Sequence, residues 1–242
     1  MAGYFGGEAP CTSVFGSNTL IGVQTPTYDR LVGDGFVAKL DATGNWLWAV
    51  QGDAAGHNLM SVKNLVTDGQ GHLYASGDYR GTAGRFGAIT LPNLSSIRPA
   101  PNPLPPIPYT AYYADAFVAR LDASGGAWQW AVRAGGSGDD GINSLAVDTQ
   151  GRVYVGGGSP NLLPYVAFPN SASTFQNPLP GTTGTVTAAQ LDGATGAWRW
   201  ASATVGGVLA VGPASKLYLA TSFTGTTATF GPYTVSGAGP YT

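Results

Sequence analysis

Charge is scarce in this chain. Of 242 residues, 11 are Lys or Arg and 13 are Asp or Glu, so charged residues make up 10%, against roughly a quarter in an ordinary soluble protein. A net charge of −2 offers no basic surface, which argues against nucleic acid or an anionic membrane as an electrostatic partner. Cys11 is the one cysteine, so no disulfide can form within the chain. The two histidines, His57 and His72, stand apart and fit no metal-ligand spacing. Glu8 is the only glutamate, so paired carboxylates for glycoside chemistry would have to be aspartates, most of which sit in turn motifs. A G-x-S-x-G nucleophile elbow is missing. No run approaches the roughly 18 apolar residues of a membrane helix, so no membrane insertion is expected. The opening MAGYFGGEAP lacks the basic and apolar regions of a secretory leader. The expectation is that a leader has been removed or that the sequence is a piece of something longer.

Glycine (37) and proline (17) are plentiful and apolar residues reach 43%, so a packed core is affordable. Thr, Ser, Asn and Gly carry the surface in place of Lys and Glu, which suggests an extracellular or cell-surface setting.

The chain repeats itself. FVAKLDATGNWLWAV at 36–50 returns as FVARLDASGGAWQWAV at 117–132 and TAAQLDGATGAWRWAS at 187–202. Tyr74, Tyr154 and Tyr218 close an LY or VY pair, and Phe15, Phe86, Phe168 and Phe230 mark a third landmark. Landmarks recur about every 60–80 residues, the size of a propeller blade with an extra excursion. Within each unit the hydrophobic period is two, which means strand, and Asp/Gly turns at Asp41–Gly44, Asp68–Gly71, Asp122–Gly125 and Asp148–Gly151 link the strands. The minimal unit is two hairpins, FVAKLD-turn-WLWAV and NLVTDGQGHLYASG, with a variable arm between LY and the next FVAKL. One arm holds PNLSSIRPAPNPLPPIP at 92–108, which is expected to run as a polyproline II surface loop.

The tryptophan pairs Trp46/Trp48, Trp128/Trp130 and Trp198/Trp200 are the candidate ligand-binding residues. Strict alternation puts both members of a pair on one strand face. Exposed there, they would stack on sugar rings; covered, they would pack between neighbouring blades, which a structural repeat favours. Asp139 and Asp140 are the adjacent carboxylates from which a calcium site could start, although a solvated turn is the plainer reading. Gly136 to Gly141 matches G-x-G-x-x-G, but INSLAVD follows it as a strand and not as the helix that dinucleotide binding needs.

DAFVARLDASGGAWQWAV (115–132), GGSGDDG (135–141) and SLAVDTQGRVYVGG (144–157) resemble the bacterial β-propeller repeats of the SBBP type, found in secreted and surface proteins. The first unit keeps DGFVAKLDATGNWLWAV but has GDAAGHN as its link, and the third lacks the GSGDDG link. The resemblance implies a propeller, an extracellular setting and an adhesive or scaffolding role, and it carries over no catalytic residues.

The expected fold is therefore all-β: a β-propeller or propeller-like array of antiparallel four-stranded blades, about three repeats in one domain spanning 1–242. Residues 1–33 form a partial arm, 34–114 repeat 1, 115–184 repeat 2 and 185–242 repeat 3. Three blades are too few for a closed ring. That leaves a fragment of a longer propeller, a paired ring, or terminal strands exchanged between copies, the last being favoured. The expected function is non-catalytic structural assembly or adhesion without cofactor or metal, the partners being other copies or neighbouring blades of a longer chain. The alternative is a carbohydrate-binding module with a glycan as partner, followed by a polysaccharide-degrading enzyme.

Overall fold

The computed structural model describes residues 1–6, 11–22, 33–56, 59–93, 97–98, 111–135, 139–157, 165–167, 174–176, 186–203, 207–220, 226–230 and 232–237. The first strands are β1 (Ala2–Phe5), the hairpin β2 (Thr12–Phe15) and β3 (Asn18–Ile21), then β4 (Asp34–Leu40) and β5 (Trp46–Ala55). Next come β6 (Met60–Thr67) and β7 (His72–Tyr79), with arm strands β8 (Ala83–Phe86), β9 (Ile89–Pro92), β10 (Ile97–Arg98) and β11 (Ala111–Tyr112). The pattern repeats as β12 (Asp115–Asp122), β13 (Trp128–Ala134), β14 (Ile142–Val147) and β15 (Arg152–Gly157), with β16 (Tyr165–Ala167) and β17 (Thr174–Gln176) in the arm. It continues through β18 (Val186–Asp192), β19 (Trp198–Ala203), β20 (Val208–Val211), β21 (Leu217–Ala220), β22 (Thr227–Phe230) and β23 (Tyr233–Ser236). The sole helical element among the described residues is a 3-10 turn at Pro213–Ser215.

Among the described residues every ladder is antiparallel, with one isolated parallel bridge between Gly33 and Leu59, so the all-β expectation holds. Sheet I runs β1-β4-β5, and β8 and β9 extend it from the far end of β5. Sheet II runs β6-β7-β12-β13 and sheet III β14-β15-β18-β19, while β20 and β21 form a lone hairpin against sheet III. Each four-stranded sheet is thus assembled across a repeat boundary. The LY strand pairs with the FVAKL strand of the next repeat, as in Tyr74 opposite Arg120 and Tyr154 opposite Gln190. The arm is the connection that carries the chain between those two neighbours. The central part of the proline-rich insertion, 94–96 and 99–108, and its expected polyproline II course lie outside the described residues.

The core lies between the sheets. Phe117, Ala119 and Leu121 of β12 face sheet I, where they meet Val37, Trp48 and Phe86. Ala116 and Val118 face sheet III and meet Leu145, Val153 and Leu191. Both faces of β12 are covered, which explains why DAFVARLD has almost no polar side. A third cluster, Phe5, Phe15, Leu20 and Ala38, packs the first arm hairpin on the outer face of sheet I. Each large side chain so buried contributes about 1.5–3 kcal/mol of transfer free energy.

Two sequence expectations fail here, both for a local reason. The tryptophans of a pair do not share a face. Trp46 lies opposite Leu40 and Trp48 opposite Lys39, so Leu47 is an extra, unpaired residue between them. The same β-bulge falls on Gln129 and on Arg199. One inserted residue cancels the period of two and turns the second indole to the other side of the sheet. The second failure concerns the longer turn: the glycine at positive φ is Gly126 (75°), not Gly125. Its N–H donates to the Asp122 carbonyl at 2.8 Å, as that of Gly44 does to Asp41 at 3.2 Å.

Candidate functional site

Because of the bulge, one tryptophan of each pair points to the element before its sheet and the other to the far side, where the next sheet follows. Trp128 looks back: its indole N–H donates to the Gln51 carbonyl of sheet I at 3.1 Å, and its ring meets Phe86 edge-on at 5.1 Å. Trp46 packs on Phe15 of the first arm at 4.9 Å, and Trp198 is buried in the core between sheets II and III. Trp48 and Trp130 look forward, onto the LD turn of the following sheet. The Trp48 indole donates to the Ala123 carbonyl at 3.3 Å, and that of Trp130 to the Gly193 carbonyl at 3.1 Å.

Each forward contact is a built socket. A cation from the FVAKL strand reaches the same carbonyl: Lys39 Nζ donates to Ala123 at 2.8 Å, and Arg120 to Gly193 at 3.1 Å. A Cβ on Gly126 would stand 2.7 Å from the Trp48 ring, and one on Gly196 2.9 Å from the Trp130 ring. Both glycines also have positive φ, so the position demands glycine twice over, for conformation and for space. These glycines and the cations were not singled out from the sequence. The signal was there as Gly-Ala-Trp at 126–128 and 196–198.

At sheet III no described turn covers the forward tryptophan in this way. Trp200 is 40% exposed, where Trp48 is 7%. Its setting is otherwise unchanged: the Tyr154 and Trp200 rings are 6.3 Å apart at 51°, and those of Tyr74 and Trp130 6.1 Å apart at 50°. Gln190 takes the place of the cation and donates to the Tyr154 hydroxyl at 2.9 Å. The β20–β21 hairpin packs against β14 and β15, the other half of the same face. Its own Tyr218 is 56% exposed, although the repeat-equivalent Tyr74 and Tyr154 are 1% and 3% exposed.

Asp41, Asp68, Asp122, Asp148 and Asp192 hold turns, while Asp53, Asp78 and Asp115 on the strands pair with Arg85, Lys63 and Arg133. Asp41 accepts from the Thr43 hydroxyl and from the backbone and side chain of Asn45, which hold its carboxyl well below the usual carboxylate range. Burial of Asp148 opposes ionisation, but the N–H and guanidinium of Arg152, the Ser215 hydroxyl and the Gln150 N–H outweigh it and hold the pKa at about 2. Asp68 receives His72 in the same i, i+4 arrangement, Nδ1 to Oδ2 at 2.7 Å. Asp139 pairs with Arg80 at 2.9 Å and accepts the Ala114 N–H, while Asp140 is buried and donates its own N–H to the Ala114 carbonyl at 2.7 Å. They fasten the loop before β14 to the strand of sheet II. Among the described residues no three His, Cys, Asp or Glu side chains gather as metal ligands. No helix is long and apolar enough to cross a membrane.

The family model described as SBBP, a beta-propeller repeat, matches residues 129–161. That stretch includes β14 and β15 and most of β13, the passage from the last strand of one sheet to the first two of the next. A beta-propeller repeat is therefore present, on the residues that carried the resemblance in the sequence. No curated protein matches the chain.

Proposed function

We propose that this chain is a non-catalytic structural or adhesive repeat protein that acts by stacking sheets and associating through the faces the stack leaves open. One observation carries the reading. Among the described residues, sheet II exposes no large apolar side chain, whereas the flanking elements expose Tyr4, Val14 and Ile21 on one side and Val208, Tyr218 and Leu219 on the other. Apolar surface at the ends of a layered stack favours further layers over soluble ligands. A low-charge surface and the resemblance to surface-protein repeats support an extracellular setting. Asp41, Asp68, Asp122, Asp148 and Asp192 are engaged in holding turns, and Asp53, Asp78, Asp115 and Asp139 in ion pairs, which supports a role without turnover.

Light scattering tests the reading. The average mass should climb above 24.7 kDa as concentration rises. A single monomeric mass from micromolar to millimolar protein would sink it. A second reading, carbohydrate binding, is favoured by the open indole of Trp200 with Tyr154 beside it and Gln190 bonded to that tyrosine. Quenching of tryptophan fluorescence by a soluble polysaccharide, lost in Trp200→Ala, would establish it.

A further inference from the structure

We propose that Trp200 docks onto the Asp41–Asn45 turn of a second copy of this chain, joining copies head to tail. This rests on the assembly reading above and gives it an address. Inside the chain the same joint is made twice, by Trp48 on the turn holding Gly126 and by Trp130 on the turn holding Gly196. Trp200 keeps the geometry of the projecting half, with its ring set against Tyr154 as Trp130 is set against Tyr74. Among the described residues no turn covers it.

The Asp41–Asn45 turn offers the corresponding receiving half, one residue shorter. Gly44 has φ +88° and donates its N–H to the Asp41 carbonyl three residues back, where Gly126 and Gly196 donate to the aspartate carbonyl four residues back. Among the described residues a Cβ built on Gly44 meets no atom within 4 Å, whereas the other two sockets are filled by an indole. One open projection and one open LD turn thus lie on opposite sides of the stack, on sheet III and on sheet I. A contact between unlike patches does not saturate in a pair: it leaves a free half at each end and grows into a ring or an open filament. The joint would also be weaker than the internal ones, because Gln190 stands where Lys39 and Arg120 supply a second donor to the carbonyl, and Gln190 is turned to Tyr154. Assembly should accordingly be reversible and concentration-dependent.

Sedimentation velocity on four samples tests it: the wild-type chain, Trp200→Ala, Gly44→Asn, and the two variants mixed in equal amounts. Asn tolerates positive φ better than other side chains, so it fills the socket with little cost to the turn. The wild type should form species beyond the dimer. Each variant alone should stay at the monomer mass and folded, its thermal midpoint lowered by no more than about 4 °C. The mixture should form dimers and stop there, since Gly44→Asn brings the one sound projection and Trp200→Ala the one sound socket. Wild-type assembly that survives either substitution, or a mixture that does not pair, overturns the Trp200 joint while leaving assembly standing. A wild-type monomer at every concentration overturns both. Binding of a polysaccharide at Trp200 by a chain that stays monomeric would assign the indole to sugar instead.

Discussion

Trp128 and Trp130 are two residues apart in the chain and on opposite faces of their sheet. The indole N–H of one ends on Gln51 of the sheet before, and that of the other on Gly193 of the sheet after. The bulged residue Gln129 between them converts a pair that alternation would stack side by side into a bolt passing through the layer.

Removing a forward indole should therefore cost much where it is covered and little where it is open. Trp130→Ala is expected to destabilise by about 3–5 kcal/mol, the range for a large aromatic lost from a core. Trp200→Ala should cost about 1 kcal/mol, in keeping with a side chain still partly in water. Chemical denaturation of the two variants under dilute, monomeric conditions measures the difference.

The sockets invite a glycine series. Gly126→Ala and Gly196→Ala combine positive φ with a Cβ driven into an indole ring, and each should lose roughly 2–4 kcal/mol. Gly44→Ala carries the backbone penalty without the collision and should lose about 1–2 kcal/mol. Equal losses at all three positions would show that the rings yield freely.

Asp115 is fully buried with Arg133 at 3.6 Å, on the face of sheet II that meets sheet I. Asp115→Leu leaves the guanidinium buried without its counter-charge and is expected to cost about 3–5 kcal/mol. Lys63→Ala, which breaks the more open pair with Asp78, should cost at most about 1 kcal/mol. Thermal unfolding of both variants, side by side with the wild type, provides the comparison.

Asp148 gives a pH signature. Its folded pKa lies at about 2, below the ordinary 3.8. A depressed acid stabilises the fold fully above its unfolded value and ceases to do so as the pH falls through its folded value. The stability gap between wild type and Asp148→Asn should thus be constant near neutrality, shrink below about pH 4, and close near pH 2. A gap that stays constant down to pH 2 would mean that the carboxylate is needed for its shape and not for its charge.

The strands and most turns could be read directly because they depend on near neighbours. Alternation in FVAKL and Asp-to-backbone bonds at Asp41, Asp68 and Asp148 are local facts. What escaped depends on a partner strand. A bulge exists only relative to the strand opposite, so nothing in WLW, WQW or WRW marks Leu47, Gln129 or Arg199 as extra. Likewise Gly126 and Gly125 are equivalent in sequence until an indole from another sheet selects one. The pairing of each LY strand with the next repeat's FVAKL was equally hidden, because the arms that separate them differ in length and composition.

That pairing means the unit that is copied and the unit that folds are out of step. Residues 115–184 hold one full sequence repeat, yet they hold half of sheet II and half of sheet III. Insertion or loss of a whole repeat anywhere along such a chain regenerates the same junctions, so the number of layers can drift over evolutionary time without any new interface being invented. An excised repeat, by contrast, would be two unmatched half-layers with no independent existence. Lineages can change length cheaply, while a protease or a misplaced truncation meets a structure that has no clean seam.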